Sequence, residues 1–381
     1  MESLSKVIQV TPQSVRHGAA DAPPVYVYTV ALSPSWNVGY VPHGGYLLSV
    51  LTSAVQQHQA LHDPAFAKHN HPAHLTSQFL TPSVSGAAEV EIKAASVTKN
   101  WTRLDVELWQ SQPAPRSNAS TETAAKRVLR ISAHFLVTTL PPVPPPGPVA
   151  DGLNSASPNI DYLDRPCPLL EHPGSIDMSD GGTPIPPKLI LMPALRWKEV
   201  KIEKRSDGSL AWGGWMELQN GEDFRESAAL IPFFADVAKT GAEMVPPGAA
   251  QSPNEIKGPF WFPTMTLSLD FKAPFPLLPS PSSSSTSAAP ATRTFGIYSS
   301  TKSIRDGRHD LTTEVWSAPA NLGEGGKPGD AERELDEGGV ERWRREGSRL
   351  LGVSNQMALC VPVSVNMARA PKKEATQVSK L

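Results

Sequence analysis

Polar and apolar residues alternate along 264–271, β-forming types dominate, and Pro274 closes the run, which is the pattern of a half-exposed strand. The segment 263–274 that contains it has a counterpart 192 positions earlier, at 71–82, with Phe79 matching Phe271 and Pro82 matching Pro274. Two more pairs follow in the same order: 97–109 resembles 303–316, and 128–137 resembles 350–358. Order, alternation and closing prolines repeat together. The chain therefore reads as two copies of one unit, a fused dimer rather than a solenoid.

Within the first copy the pattern predicts a strand over 25–32, a loop, and then His43-Gly44-Gly45-Tyr46 opening a helix. Leu47, Val50, Leu51, Ala54 and Val55 fall at the spacing of an amphipathic helix that ends after His58. Strands are expected at 75–80, 88–97, 102–109 and 128–137. In the second copy they are expected at 199–204 and 209–218, the latter carrying Trp212 and Trp215. Residues 233–244 enter a short helix stopped by Pro246 and Pro247. Each unit thus reads as a strand, a helix and several antiparallel strands around that helix.

Composition sharpens the boundaries. The chain has 381 residues, 39% hydrophobic and 19% charged, enough for two domains with cores of their own. Its 39 prolines concentrate outside the patterned runs. The expected organisation is an N-terminal unit over 1–140, a Pro-rich linker over 141–188, a C-terminal unit over 189–365, and a flexible tail over 366–381. Low-complexity inserts near 278–292 and 321–339 are expected to be disordered surface loops.

A net charge of -2 offers no electrostatic reason to expect nucleic acid or an anionic membrane as partner. Cys167 and Cys360 are too few for a cysteine-ligated zinc site. His69, His71 and His74 lie close in sequence, but Pro72 and the lack of nearby carboxylates argue against a metal. No apolar run reaches the length of a membrane-spanning helix. Ser379-Lys380-Leu381 reads as a peroxisomal address, implying a peroxisomal import receptor as partner and a peroxisomal location.

The segments 43–51, 71–82, 262–274 and 350–359 together resemble the thioesterase-like double-hotdog family, related to type II acyl-CoA thioesterases. The resemblance implies an α+β fold, a tandem double hotdog of two antiparallel sheets, each wrapped around a central helix. It also implies an acyl-CoA substrate, with coenzyme A entering only as part of that substrate and no other cofactor or metal. In the family, an Asp near a helix start, a Thr on the next strand and a Gln on the last strand order a water for attack on the thioester. By motif these fall on Asp236, Thr264 and Gln356. Thr266, two positions on, stays open as an alternative to Thr264. At matched positions the first copy has Gly44, Pro72 and His134, so one site lined mainly by the second copy is expected.

Thioester hydrolysis needs a positioned water, a base and donors for the developing oxyanion. Near a helix start the helix dipole keeps Asp236 ionised, so it is expected to orient the water or accept its proton. His43, Gly44, Gly45 and Tyr46 are candidates for binding substrate, through N–H groups free at a helix N-terminus. There is no G-x-S-x-G elbow, which argues against a serine hydrolase. Two other readings remain open, a non-catalytic acyl-CoA-binding double hotdog and a hotdog enoyl-CoA hydratase. The second is weakened because Gln56, Gln57 and His58 stand where its aspartate should be. Acyl length and any further homo-oligomer are not readable from the sequence.

Overall fold

The computed structural model describes residues 2–18, 22–62, 68–112, 126–139, 165–179, 195–203, 205–225, 227–245, 260–277, 291–324, 343–344 and 347–369. Most of the two inserts, 141–164 and 180–188 of the linker, and the expected Ser379-Lys380-Leu381 signal lie outside these residues.

Thirteen strands form one hydrogen-bonded sheet. In the first half they are β1 (Thr11–Arg16), β2 (Val25–Leu32), β3 (His71–Phe79), β4 (Gly86–Val97), β5 (Trp101–Gln112) and β6 (Lys126–Thr138). The second half has β7 (Leu195–Glu199), β8 (Leu210–Leu218), β9 (Thr264–Phe271), β10 (Thr294–Thr301), β11 (Ile304–Arg305), β12 (Arg308–Ser317) and β13 (Leu350–Leu359). Their order across the sheet is β1-β2-β4-β5-β6-β3-β9-β13-β12-β10-β8-β7, with β11 beside β12. Read from either end, this order matches each strand of one half with one of the other. The repeats at 71–82 and 263–274 are β3 and β9, at the centre.

One point differs from the expectation of two sheets. β3 and β9 pair antiparallel, Leu75 opposite Leu269 and Ser77 opposite Leu267, and the Ser77 hydroxyl donates to the Leu267 carbonyl at 2.9 Å. Each would otherwise be an open edge of its half, and pairing satisfies both rows of backbone groups. The result is one continuous sheet.

The helices differ as well. Helix α2 (Gly44–His62) follows the short α1 (Leu4–Val7), and every residue of α2 from Gly45 to Val55 is buried. The apolar stripe predicted one wet face, but the sheet encloses α2 on one side and the second half's helix covers the other. That second helix is short. A 3-10 turn (Ala228–Leu230) leads into α3 (Ile231–Asp236), the chain leaves helical geometry at Val237, and Thr240 with Glu243 restarts it as α4 (Gly241–Met244) through a capping box. The core between the helices and the sheet is dense with aromatics: Phe224, Phe233, Phe234 and Phe295 are each at most 2% exposed.

The strand expected at 199–204 occurs at Leu195–Glu199 instead, where Leu195 and Trp197 pair with Leu218 and Met216. Val200 and Ile202 belong to a smaller cluster on the sheet's outer face, with Cys167, Leu169, Trp215 and Trp316. The described part of the expected linker, 165–179, therefore contributes to a core. Leu169 and Cys167 are fully buried, and the Trp215 indole N–H donates to the Glu171 carbonyl at 2.7 Å.

Candidate functional site

Asp236 is the last residue of α3, so its own helix dipole works against a negative charge. The expectation of a helix-start aspartate is corrected in an instructive way: the favourable helix end comes from the other half. The side chain of Asp236 meets the first turn of α2, and its Oδ2 accepts the Gly45 N–H at 2.7 Å. The glycine pair makes this approach possible. A Cβ on Gly45 would lie 2.6 Å from the Pro232 carbonyl oxygen and 2.8 Å from the Asp236 Cβ, and one on Gly44 would lie 2.7 Å from Asp236 Oδ2. Gly44-Gly45 is thus the place where the two halves' helices touch.

Thr264 and Gln356 complete a chain of contacts. The Thr264 hydroxyl lies 3.0 Å from Asp236 Oδ1 and 3.1 Å from Gln356 Oε1. A hydroxyl has one proton, so it serves the carboxylate fully when the Gln356 amide turns its NH2 toward Thr264. In either orientation one polar atom of the amide is left without a partner in the cavity wall; as placed it is Nε2, which is buried and unpaired. A register shift in β9 brings Thr264 to this point. Leu267, Leu269 and Phe271 face the core, and regular alternation would turn Thr264 to the opposite face. A bulge between Thr264 and Thr266, relative to β13, returns Thr264 inward and leaves Thr266 exposed. Next to Gln356 on the inner face of β13, the buried Ser354 hydroxyl donates to the Ala235 carbonyl at 3.0 Å and ties the end of α3 to the sheet.

His43 faces the same carboxylate. Its Nδ1 accepts the Tyr46 backbone N–H at 3.3 Å, which leaves the proton on Nε2, and Nε2 stands 3.5 Å from Asp236 Oδ2. Both side chains are more than nine-tenths buried. Burial lowers the His43 pKa and keeps the imidazole neutral. Burial also raises the Asp236 pKa above the ordinary carboxylate value, against the opposing pull of His43, the Thr264 hydroxyl and the Gly45 N–H. The outcome is a carboxylate of raised basicity held by two hydrogen-bond donors, Gly45 and Thr264, with the His43 imidazole beside it.

The four residues of the 43–46 segment separate by role. His43 and Gly44 line the cavity, and the Gly44 N–H makes no hydrogen bond among the described residues. Gly45 spends its N–H on Asp236. Tyr46 does not line the cavity: it is fully buried, with its hydroxyl 3.1 Å from the Ser33 N–H and 3.4 Å from the Val7 carbonyl. The nearby histidines also disperse. His69 bonds Thr102 at 2.8 Å, and His74 bonds Asp270 at 2.6 Å across the central seam.

A cavity of about 640 Å³ opens on Asp236, Thr264 and Gln356. Most of its wall is apolar, from Leu47 and Phe79 on one side to Met216, Trp212 and Trp197 on the other. The sequence reading overlooked Trp197, Trp212 and His309 as lining residues. Only the pairing of four strands, β7, β8, β10 and β12, brings them to one wall, and no local pattern signals it.

In sequence, residues 32–125 match the acyl-CoA thioesterase N-terminal domain and residues 193–322 match the acyl-CoA thioesterase C-terminal domain, together more than half of the chain. No curated protein sequence matches. Among solved structures, a protein assigned as a thioesterase II from Thermobifida fusca YX is similar at 17% identity and a TM-score of 0.54, covering 93% of this chain and 98% of its own. Acyl-CoA thioesterase II TesB2 from Mycobacterium marinum is similar at 10% identity and a TM-score of 0.52, covering 95% and 100%. A hot-dog-fold protein from Alicyclobacillus acidocaldarius is similar at 11% identity and a TM-score of 0.51, covering 94% and 98%. At these identities the structural likenesses establish the hotdog fold.

Proposed function

The chain belongs to the acyl-CoA thioesterase family and is a thioester hydrolase; from that premise we propose that it hydrolyses acyl-CoA by direct attack of a water held by Asp236, Thr264 and Gln356. The observation that carries this reading is the unbroken contact chain Gly45, Asp236, Thr264, Gln356 on the wall of the cavity. Asp236 takes a proton from the water, and the oxygen adds to the thioester carbonyl carbon. The C–S bond then breaks, and the proton passes to the coenzyme A thiolate. A carboxylate of raised pKa is a stronger base than an exposed one, and the thiolate is a good leaving group, so no acyl-enzyme is required.

The same geometry supplies candidates for the oxyanion. The unbonded Gly44 N–H at the start of α2 borders the cavity, as does the Gln356 amide, which keeps a second N–H for the oxyanion when it gives the first to Thr264. His43 acts through Asp236, orienting the carboxylate. The first half contributes the helix end and the second half the polar trio, so each half needs the other. Peroxisomal delivery through Ser379, Lys380 and Leu381 is part of the proposal and rests on the sequence pattern alone; it is tested by the location of a tagged chain with and without the tripeptide.

The proposal is tested by free-thiol release from short, medium, long and branched acyl-CoAs, with Asp236→Asn beside the wild type. The variant should lose about 10²-fold or more in kcat while KM changes little. A rise in KM with kcat unchanged would remove Asp236 from the chemistry. Consumption of an enoyl-CoA with no thiol released would favour the hydratase reading.

A further inference from the structure

The cavity continues past the trio along the sheet. Thr264 pairs with Ala358 on β13, and Ala358 pairs with His309 on β12. Two strand spacings separate them, so His309 stands about 10 Å from Thr264. Beyond β12 the same wall carries Trp212 on β8 and Trp197 on β7.

Three aromatic side chains of this arm carry ring nitrogens with nothing to bond among the described residues. His309 is 2% exposed, and neither Nδ1 nor Nε2 has a hydrogen-bond partner among the described residues. The indole Nε1 atoms of Trp212 and Trp197 are likewise buried and unpaired. Other buried histidines are engaged: His58 bonds the Tyr28 hydroxyl, and His69 bonds Thr102. A buried polar group without a partner carries an uncompensated desolvation penalty, and natural proteins hold few of them. Three in one arm of a substrate cavity are accounted for by a ligand that bonds them.

We propose that this arm receives the acyl chain of the substrate and that His309 binds a hydroxyl group on that chain, about 10 Å from the attacked carbonyl. The inference rests on the thioesterase reading above. Burial keeps the His309 imidazole neutral, so it offers one N–H donor and one bare nitrogen. A hydroxyl uses both, whereas a ketone or ether uses only the donor. A carboxylate suits the arm poorly. Lys239, beside the two tryptophans, is ion-paired to Glu199 at 2.5 Å, and Glu243 adds a negative charge to the cavity wall. The indole N–H groups of Trp212 and Trp197 accept nothing and favour oxygen acceptors over bare hydrocarbon farther along.

The test compares kcat/KM for octanoyl-CoA, ω-hydroxyoctanoyl-CoA and the ω-carboxy congener in the wild type, His309→Phe and His309→Gln. The wild type should prefer the hydroxylated chain by about tenfold, the worth of one well-placed hydrogen bond. His309→Phe keeps an aromatic ring of similar size and should bring the first two substrates together; His309→Gln, with a donor and an acceptor, should keep part of the preference. Equal rates for octanoyl-CoA and ω-hydroxyoctanoyl-CoA in the wild type, or a preference for the carboxylate, would overturn the proposal. So would an equal loss on every substrate in His309→Phe, which would assign His309 to the pantetheine arm that all of them share. Wild-type hydrolysis of plain octanoyl-CoA reports separately on the thioesterase reading. Calorimetric binding of the same thioesters to Asp236→Asn reads the arm's preference without turnover, and tighter binding of the hydroxylated chain is expected there.

Discussion

Replacing Gly45 by alanine adds one methyl group at the point where the two halves' helices touch. The new Cβ would lie 2.6 Å from the Pro232 carbonyl oxygen, 2.8 Å from the Asp236 Cβ and 2.9 Å from the Phe233 Cα. Two of these are backbone atoms of α3 and the third is fixed to it, so no side chain can swing away. Ordinary contact begins near 3.4 Å, so α3 must retreat by about 1 Å. The Asp236 carboxylate rides on the last residue of α3 and moves with it, stretching the 2.7 Å bond from the Gly45 N–H and the 3.0 Å contact with Thr264. A misplacement of about 1 Å costs about 10²-fold in rate. Overpacking costs about 1–3 kcal/mol of stability, and the better helix propensity of alanine returns less than about 1 kcal/mol. Gly45→Ala should therefore lower kcat/KM for acyl-CoA by about 10²-fold and depress Tm by several degrees, measured by thiol release and thermal unfolding. Gly44→Ala should separate the two effects. Its Cβ meets only the far ends of Asp236 and Phe79, so activity should fall with little change in Tm. A Gly45→Ala protein with wild-type kcat/KM and wild-type Tm would refute this account of how Asp236 is placed.

Other outcomes follow from the same contacts. Thr264→Val should lower kcat/KM by about 10–100-fold, the worth of a hydrogen bond to a charged group, whereas Thr266→Val, on the exposed side of the bulge, should change it by less than about twofold. The pH profile should reflect the raised Asp236 pKa: kcat/KM climbs as the carboxyl loses its proton, with its acid limb above the ordinary value of 3.8. Thr264→Val removes a donor to the carboxylate and should move that limb to higher pH. Stability has the opposite slope, because the folded protein holds this proton more tightly than the unfolded chain. The Asp236 contribution to stability is thus lost as pH rises from the unfolded value through the folded one, and Asp236→Asn should flatten the decline in denaturant midpoint over that range. Ser354→Ala should leave the Ala235 carbonyl without its 3.0 Å donor and destabilise the protein by about 1 kcal/mol in denaturant unfolding, with a smaller loss of kcat than Thr264→Val.

The central strands were legible because their signal is local: alternation and a closing proline mark β3 and β9, and β9 spans the predicted 264–271. The match of β4 with β10 was hidden because the 278–292 insert precedes β10 and breaks the repeat. The union of the two halves in one sheet lies in no single segment; it follows from leaving two edges unpaired, a tertiary matter. The glycine pair at Gly44-Gly45 announced a close approach, but only the fold shows that the visitor is α3. The choice between Thr264 and Thr266 depends on a one-residue bulge, for which periodicity has no term. His309 was invisible as a lining residue for a related reason. Its neighbour Ala358 is 49 positions away in the chain, and its unpaired state exists only once β9, β13 and β12 lie side by side.

The most direct measurement is a single turnover of octanoyl-CoA with enzyme in excess in heavy-oxygen water, followed by mass analysis of the free acid and of the peptide bearing Asp236. Direct attack by the water held at Asp236, Thr264 and Gln356 predicts one heavy oxygen in the acid and none in Asp236. An unlabelled acid with the heavy oxygen in Asp236 would show that the carboxylate is itself the nucleophile and would contradict the account.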